Sequence, residues 1–212
     1  MNKESKIKLI NCLPIISIVL FSIFFWDETS LAANSVALEY GYCNFQAGSF
    51  GQGNFLRATI YKFSLPSGRK FPGLEGGFGL CFYSMNEIDQ FPGQPFAVTN
   101  PKGDLKDYFV YASGRFNLSI AKSAALYLGG RFGLHFADWD LEGNSVSNPL
   151  VKVVYSDKYE ALGLDLFGGV RMEPFPFPLG AQFEIGTTNP FENVGDDLPF
   201  ALGVSAGVNF RF

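Results

Sequence analysis

Apolar and polar residues alternate along most of this chain with a period of two, which predicts β-strands whose two faces meet different surroundings. The pattern runs longest at the C-terminus. Phe200, Leu202, Val204, Ala206, Val208, Phe210 and Phe212 are apolar, while Ala201, Gly203, Ser205, Gly207, Asn209 and Arg211 between them are small or polar. A strand of a soluble sheet usually runs about 5–6 residues. This segment runs about 13, more than the roughly 9–11 that a tilted membrane strand needs.

Seven further segments alternate in the same way: 35–43, 54–64, 75–86, 107–119, 124–137, 160–173 and 179–188. On the broad apolar face they carry residues such as Leu38, Leu56, Phe78, Phe116, Leu128, Phe132, Leu164 and Phe183. The narrow face carries Gly, Ser, Asn and charged residues, among them Glu39, Arg57, Arg115, Arg131, Asp165, Arg171, Glu173, Glu184 and Arg211. Eight strands make an even number, which lets an up-and-down barrel start and end on the same side. In lipid the sheet must close on itself, because nothing there pairs with an open edge. The predicted fold is therefore all-β, an eight-stranded antiparallel up-and-down transmembrane barrel.

Connection lengths agree with that topology. Segments 65–74, 120–123 and 174–178 are expected to be periplasmic turns. Segments 44–53, 87–106, 138–159 and 189–199 are expected to be outer loops, two of them near 20 residues long. In the last turn Pro174, Pro176 and Pro178 cannot donate to a ladder and so interrupt the sheet.

Composition fits the pattern. Hydrophobic residues make up 47% of the 212, yet they are dispersed among 24 Gly and 24 Phe. Aromatics suit a lipid-facing wall, and Gly saves room in a narrow lumen. The formal net charge of −4 offers no basic footprint for nucleic acid. A single His and three Cys argue against a multi-ligand zinc site.

The continuous apolar run is N-terminal. Residues 1–32 are expected to be a cleaved secretory signal: Lys3, Lys6 and Lys8 precede the mainly apolar stretch from Leu9 to Trp26, and Ser30-Leu31-Ala32 forms a small-x-small cleavage site. Residues 33–212 then form the barrel domain. An uncleaved anchor is disfavoured because Asn11 and Pro14 interrupt the run. Cys12 precedes the apolar run, the wrong place for lipid attachment.

The chain resembles the small outer-membrane barrels of the OmpA/OmpX type. The resemblance covers the whole mature chain as a pattern, and its most specific part is the ending Val208-Asn209-Phe210-Arg211-Phe212. It implies that Val208, Phe210 and Phe212 serve as an assembly signal read by the barrel-insertion machinery. It also implies residence in the outer membrane of a Gram-negative-type bacterium, in contact with lipid bilayer and lipopolysaccharide. No periplasmic peptidoglycan-binding domain is expected after the last strand.

The candidate site is the lumen. Arg57, Arg115, Arg131, Asp165, Arg171 and Glu184 are expected to form an ionic network there, with Arg115, Arg131 and Arg171 meeting Asp165 and Glu184. Charges at membrane depth need partners or water, and an eight-stranded lumen is about filled by its own side chains. The network is therefore expected to plug the barrel; a charged gate in a narrow channel for water or small solutes is the alternative.

His135 faces the lumen. Two residues later stands Ala137, so the His/Ser pair by which some similar barrels hydrolyse lipid A is missing locally. A lipid-modifying enzyme is the third reading, and a soluble barrel of the lipocalin kind is the alternative fold.

The segment from Asp138 to Asn144 has the start of a calcium loop, but Pro149 stands where a bidentate Glu belongs. Trp139, Tyr108, Tyr155 and Tyr159 are expected in an interfacial aromatic girdle. Cys43 and Cys81 point inward on strands one and three, too far apart for a disulfide. Lys62 has lipid-facing parity near a strand end, where its stem reaches the headgroups. Gly51-Gln52-Gly53, with no helix behind it, is no phosphate loop, and no cofactor is implied.

Overall fold

The computed structural model describes residues 35–45, 52–65, 73–86, 98–173, 178–188 and 201–212. The expected signal segment 1–32 lies outside them, as do 66–72, 174–177 and outer segments 46–51, 87–97 and 189–200. Eight strands close into one antiparallel barrel in sequential order: β1 (Ser35–Phe45), β2 (Gln52–Leu65), β3 (Gly73–Asn86), β4 (Val98–Ala121), β5 (Ala124–Ser145), β6 (Lys152–Met172), β7 (Leu179–Thr188) and β8 (Ala201–Arg211). The last strand meets the first from Ser35↔Arg211 to Phe45↔Ala201, so no edge is left along either.

Alternation decides the faces. Leu38, Leu56, Phe116, Leu128, Phe132, Leu164, Phe183 and Ile185 are exposed on the outer wall, while Glu39, Arg57, Arg115, Arg131, Asp165 and Glu184 are buried inside. On β5 the outward positions are apolar from Leu126 to Phe136, apart from Gly130, and charged at Asp138, Asp140 and Glu142. Ten steps of about 3.4 Å tilted by about 40° rise about 26 Å, which matches the roughly 25 Å apolar band of an outer-membrane barrel. Placing a cation in that belt is costly. Leu164→Arg should lower the unfolding free energy in a bilayer by about 2–4 kcal/mol, read from urea titration in lipid vesicles; unchanged stability would overturn the outward assignment.

Inward glycines explain why Gly and Phe are abundant together. Several lie directly across the ladder from a ring: Gly41 from Phe55, Gly79 from Tyr111 and Gly169 from Tyr127. At each the ring occupies the place a Cβ would take. The missing side chain lets the aromatic lie along the inner wall and fill the lumen.

Four features depart from the sequence reading. First, segments 138–159 and 98–106 are not loops. β4, β5 and β6 run for 24, 22 and 21 residues, against 11, 10 and 11 for β1, β7 and β8. They project beyond the belt as a three-stranded sheet, with β5 turning into β6 at 146–151. The apolar signal stops at the end of the belt because the outer face there meets water, although the backbone ladder continues. The Asp138–Asn144 segment is therefore strand, paired with Lys152–Lys158, and its successive side chains cannot converge on one ion. Second, Trp139 is 4% exposed and points inward, so it leaves the expected girdle. Tyr108 does face outward, beside Phe82; the side chains of Tyr155 and Tyr159 lie outside the described residues. Third, the β2–β3 register slips between Tyr61 and Phe63. Lys62 is the extra residue of this bulge, and beyond it Phe63 and Leu65 take the outward positions. Fourth, Gln52 and Gly53 open β2 and do not belong to an outer loop.

The edges of the projecting sheet carry features that discourage strand addition. Pro101 lies in β4 beside an irregularity between Thr99 and Lys102, and Lys152 and Lys158 lie on β6.

Candidate functional site in the lumen

The narrow face of each strand brings its charged residues to the barrel axis, where they form two tiers. Nearer the chain termini, Glu75 on β3 accepts from Arg115 Nε at 2.6 Å and from Arg171 Nη1 at 3.0 Å. Arg115 also lies 3.9 Å over the Tyr61 ring and 5.0 Å over Tyr127. Glu173 closes this end, accepting from Arg171 at 3.1 Å and from Arg211 at 2.8 Å.

The second tier centres on Glu184 of β7. Its carboxylate accepts from Arg131 Nη2 at 2.7 and 2.9 Å and from Arg57 Nη1. Glu39 accepts from Arg57 at 3.3 Å and from the Ser205 hydroxyl at 3.2 Å. Arg131 stacks 3.7 Å over Phe167, and Arg57 lies 4.7 Å over Phe55. Asp165 stands directly across the ladder from Arg131. A cavity of about 20 Å³ opens among Arg57, Arg131, Asp165, Glu184 and Ser205, room for about one water. Nε of Arg57 and Nε of Arg131 have no protein partner, so a water there has donors to meet.

The structure thus brings Arg131 and Glu184 together but gives Arg115 and Arg171 a different carboxylate from those expected. Glu75, which the expected network omits, has inward parity. It is the first residue of its expected segment, and parity alone does not say how far along the axis a side chain reaches.

Above the second tier the lumen turns apolar. Cys43, Phe55, Cys81, Tyr83, Met85, Leu105, Phe109, Ala137 and Trp139 pack into one buried cluster. His135 is wholly buried at its margin, its ring stacked on Phe109 at 4.0 Å and its Nδ1 2.6 Å from Asp107 Oδ2. Cys43 and Cys81 are free thiols. Cys43 pairs with Gly53 and Cys81 with Arg57, so they are out of step by four residues, about 13 Å along β2. Among the described residues no three His, Cys, Asp or Glu side chains converge as a metal site.

No protein-family model matches the sequence, and no curated protein matches it. Solved structures do match in shape. Neisserial surface protein A is 16% identical with a TM-score of 0.55, the match covering 84% of this chain and 96% of that one. A major outer membrane protein from Thermus thermophilus is 12% identical with a TM-score of 0.51, covering 85% and 100%. Ail, the attachment invasion locus protein of Yersinia pestis, is 15% identical with a TM-score of 0.48, covering 86% and 100%. With its closed eight-stranded ladder, apolar outer wall and ionic lumen, the chain has the fold of the small outer-membrane β-barrels.

Proposed function

We propose that this protein is a non-enzymatic outer-membrane barrel whose lumen is closed and whose work is done at the surface, in a structural or adhesive role. The observation that carries this reading is the filling of the lumen. Two tiers of arginine–carboxylate pairs are followed by an apolar cluster, and the cavity beside the second tier has room for about one water. The projecting β4–β6 sheet supplies a folded platform beyond the belt, with Leu105 and Trp139 buried on its inner face. His135 argues for no hydrolase: it has no exposure, and Phe109 and Tyr83 lie beside its ring.

Purified protein in planar bilayers should show no steady conductance. A steady open state at low voltage would replace this reading with that of a narrow channel. Release of fatty acid from purified lipid A would replace it with that of an enzyme.

The location is tested separately. The mature protein should start near Ala33 by N-terminal sequencing, fractionate with outer membranes and migrate differently before and after boiling. Its expected partners are the bilayer and lipopolysaccharide, with the barrel-insertion machinery engaging Val208, Phe210 and Phe212 during assembly. These three side chains share the outer wall, and the rings of Phe210 and Phe212 lie 6.1 Å apart.

A further inference from the structure

One seam of the barrel has no chain connection to set its register. The other seven join strands that follow one another in sequence, and each connection limits how far its pair can slide. No connection joins β8 to β1. These two strands could slide past one another by two residues without turning any side chain to the wrong face. The outer wall would not resist, because the outward positions of β8 are all apolar from Leu202 to Phe212. A slide at this seam alone changes the stagger of the whole barrel, and with it the meshing of the ionic tiers.

Inside the seam the residues are not interchangeable. Gly207 lies directly opposite Glu39. A Cβ at Gly207 would fall on the Leu38 carbonyl oxygen and stand 2.8 Å from Glu39 Cγ and 2.9 Å from Glu39 Cα. Two of these three atoms are backbone and cannot step aside. The Glu39 side chain is held as well: it is 2% exposed and accepts from Arg57 at 3.3 Å and from the Ser205 hydroxyl at 3.2 Å. Gly203, the other inward glycine of β8, is unlike Gly207, since a Cβ there would meet nothing nearer than 3.5 Å.

A two-residue slide brings Ser205 or Asn209 opposite Glu39, and each carries the Cβ that this place excludes. A slide of four brings Arg211 there in one direction. In the other it brings Gly203, but it leaves Tyr42, Cys43, Asn44 and Phe45 with no partner on β8.

We propose that Gly207 and Glu39 are the register key of the closing seam, a notch and the side chain that fills it. Together they select one stagger from its neighbours, the one in which Glu39, Arg57 and Glu184 share the second tier. The device acts in closing the barrel and is independent of whether the lumen conducts.

The test moves the notch and reads the register by disulfide trapping. All variants carry Leu38→Cys, with the three native cysteines replaced by Ala, and are isolated from the membranes of the cells that make them. A second cysteine is placed at Val208, at Ala206 or at Phe210, and the bridges are mapped by mass spectrometry after oxidation. Residues directly opposite lie about 4.5–5.5 Å apart and diagonal ones about 7–8 Å, against a disulfide limit of about 7 Å. Val208→Cys should therefore bridge about tenfold more than either of the others. In the swap Ser205→Gly/Gly207→Ser the notch lies two residues earlier, and Ala206→Cys should become the main bridging partner. A swap that still bridges mainly through Val208→Cys overturns the proposal, as does equal bridging at all three positions without the swap. Single variants decide the matter if the swap yields no barrel. Gly203→Ala should keep the Val208→Cys bridge and Gly207→Ala should lose most of it; equal bridging by these two overturns the register key.

Discussion

Replacing Glu184 by Ala is expected to lower the unfolding free energy of the barrel by about 3–5 kcal/mol, the usual cost of breaking a dry buried ion pair from one side. Glu184 accepts from both Arg57 and Arg131, whose side chains are 6% and 2% exposed. Its removal leaves two guanidinium groups in a lumen where Glu39, an acceptor that remains, lies 3.3 Å from Arg57 and 3.9 Å from Arg131. The loss should fall toward the lower end of the range if water enters the adjoining cavity. Equilibrium urea unfolding in detergent or lipid measures it. A double-mutant cycle with Arg131→Met isolates the pair. Strict additivity of the two changes would show that Arg131 and Glu184 do not stabilise one another, and the plugged-lumen reading would lose its central contact.

Deleting Phe212 is expected to reduce the amount of protein in the outer membrane of cells several-fold while barely moving the unfolding midpoint of barrel refolded in detergent. In the folded barrel the Phe212 ring is 64% exposed on the outer wall, and its near neighbour is the ring of Phe210. Phe212 lies one residue beyond β8, which ends at Arg211, so its deletion removes no part of the strand and takes away only one terminal ring's contact with detergent. Before closure, however, β8 and β1 are both open, and their unpaired backbone groups cost several kcal/mol each in lipid. A residue that lets the last strand be held until it meets β1 acts on that step. The comparison is outer-membrane yield against refolding yield and midpoint in vitro. Wild-type abundance of the deletion in the outer membrane would remove the assembly-signal reading of Val208, Phe210 and Phe212.

How much of this is legible in the sequence differs from residue to residue. The apolar face of Leu128, Phe132, Leu164 and Phe183 follows from alternation alone, as does the inward set of Arg57, Arg115, Arg131, Asp165, Arg171 and Glu184. The ends of β4, β5 and β6 do not. Past Tyr108, Phe136 and Leu162 both faces meet something other than lipid, and the outward positions become Lys106, Asp138 and Glu160. Polar residues at that point read as loop, because the contrast that marks a membrane strand has gone. Trp139 is misplaced for the same reason: in a segment that reads as loop, parity carries no weight. With the strand continued from His135 through Ala137, it turns inward.

What the sequence determined by itself is which way each side chain in the belt faces, because that depends only on a residue's neighbours and on the difference between lipid and lumen. What only the tertiary structure decided is who meets whom. Glu75 takes Arg115 and Arg171, Glu184 takes Arg57 and Arg131, and Cys43 stands four residues out of step with Cys81. Those pairings depend on inter-strand register, including the slip at Lys62, and on the stagger needed to close eight strands. Register and stagger belong to the whole ladder: every strand must satisfy both neighbours at once, and no single stretch of the chain records the solution.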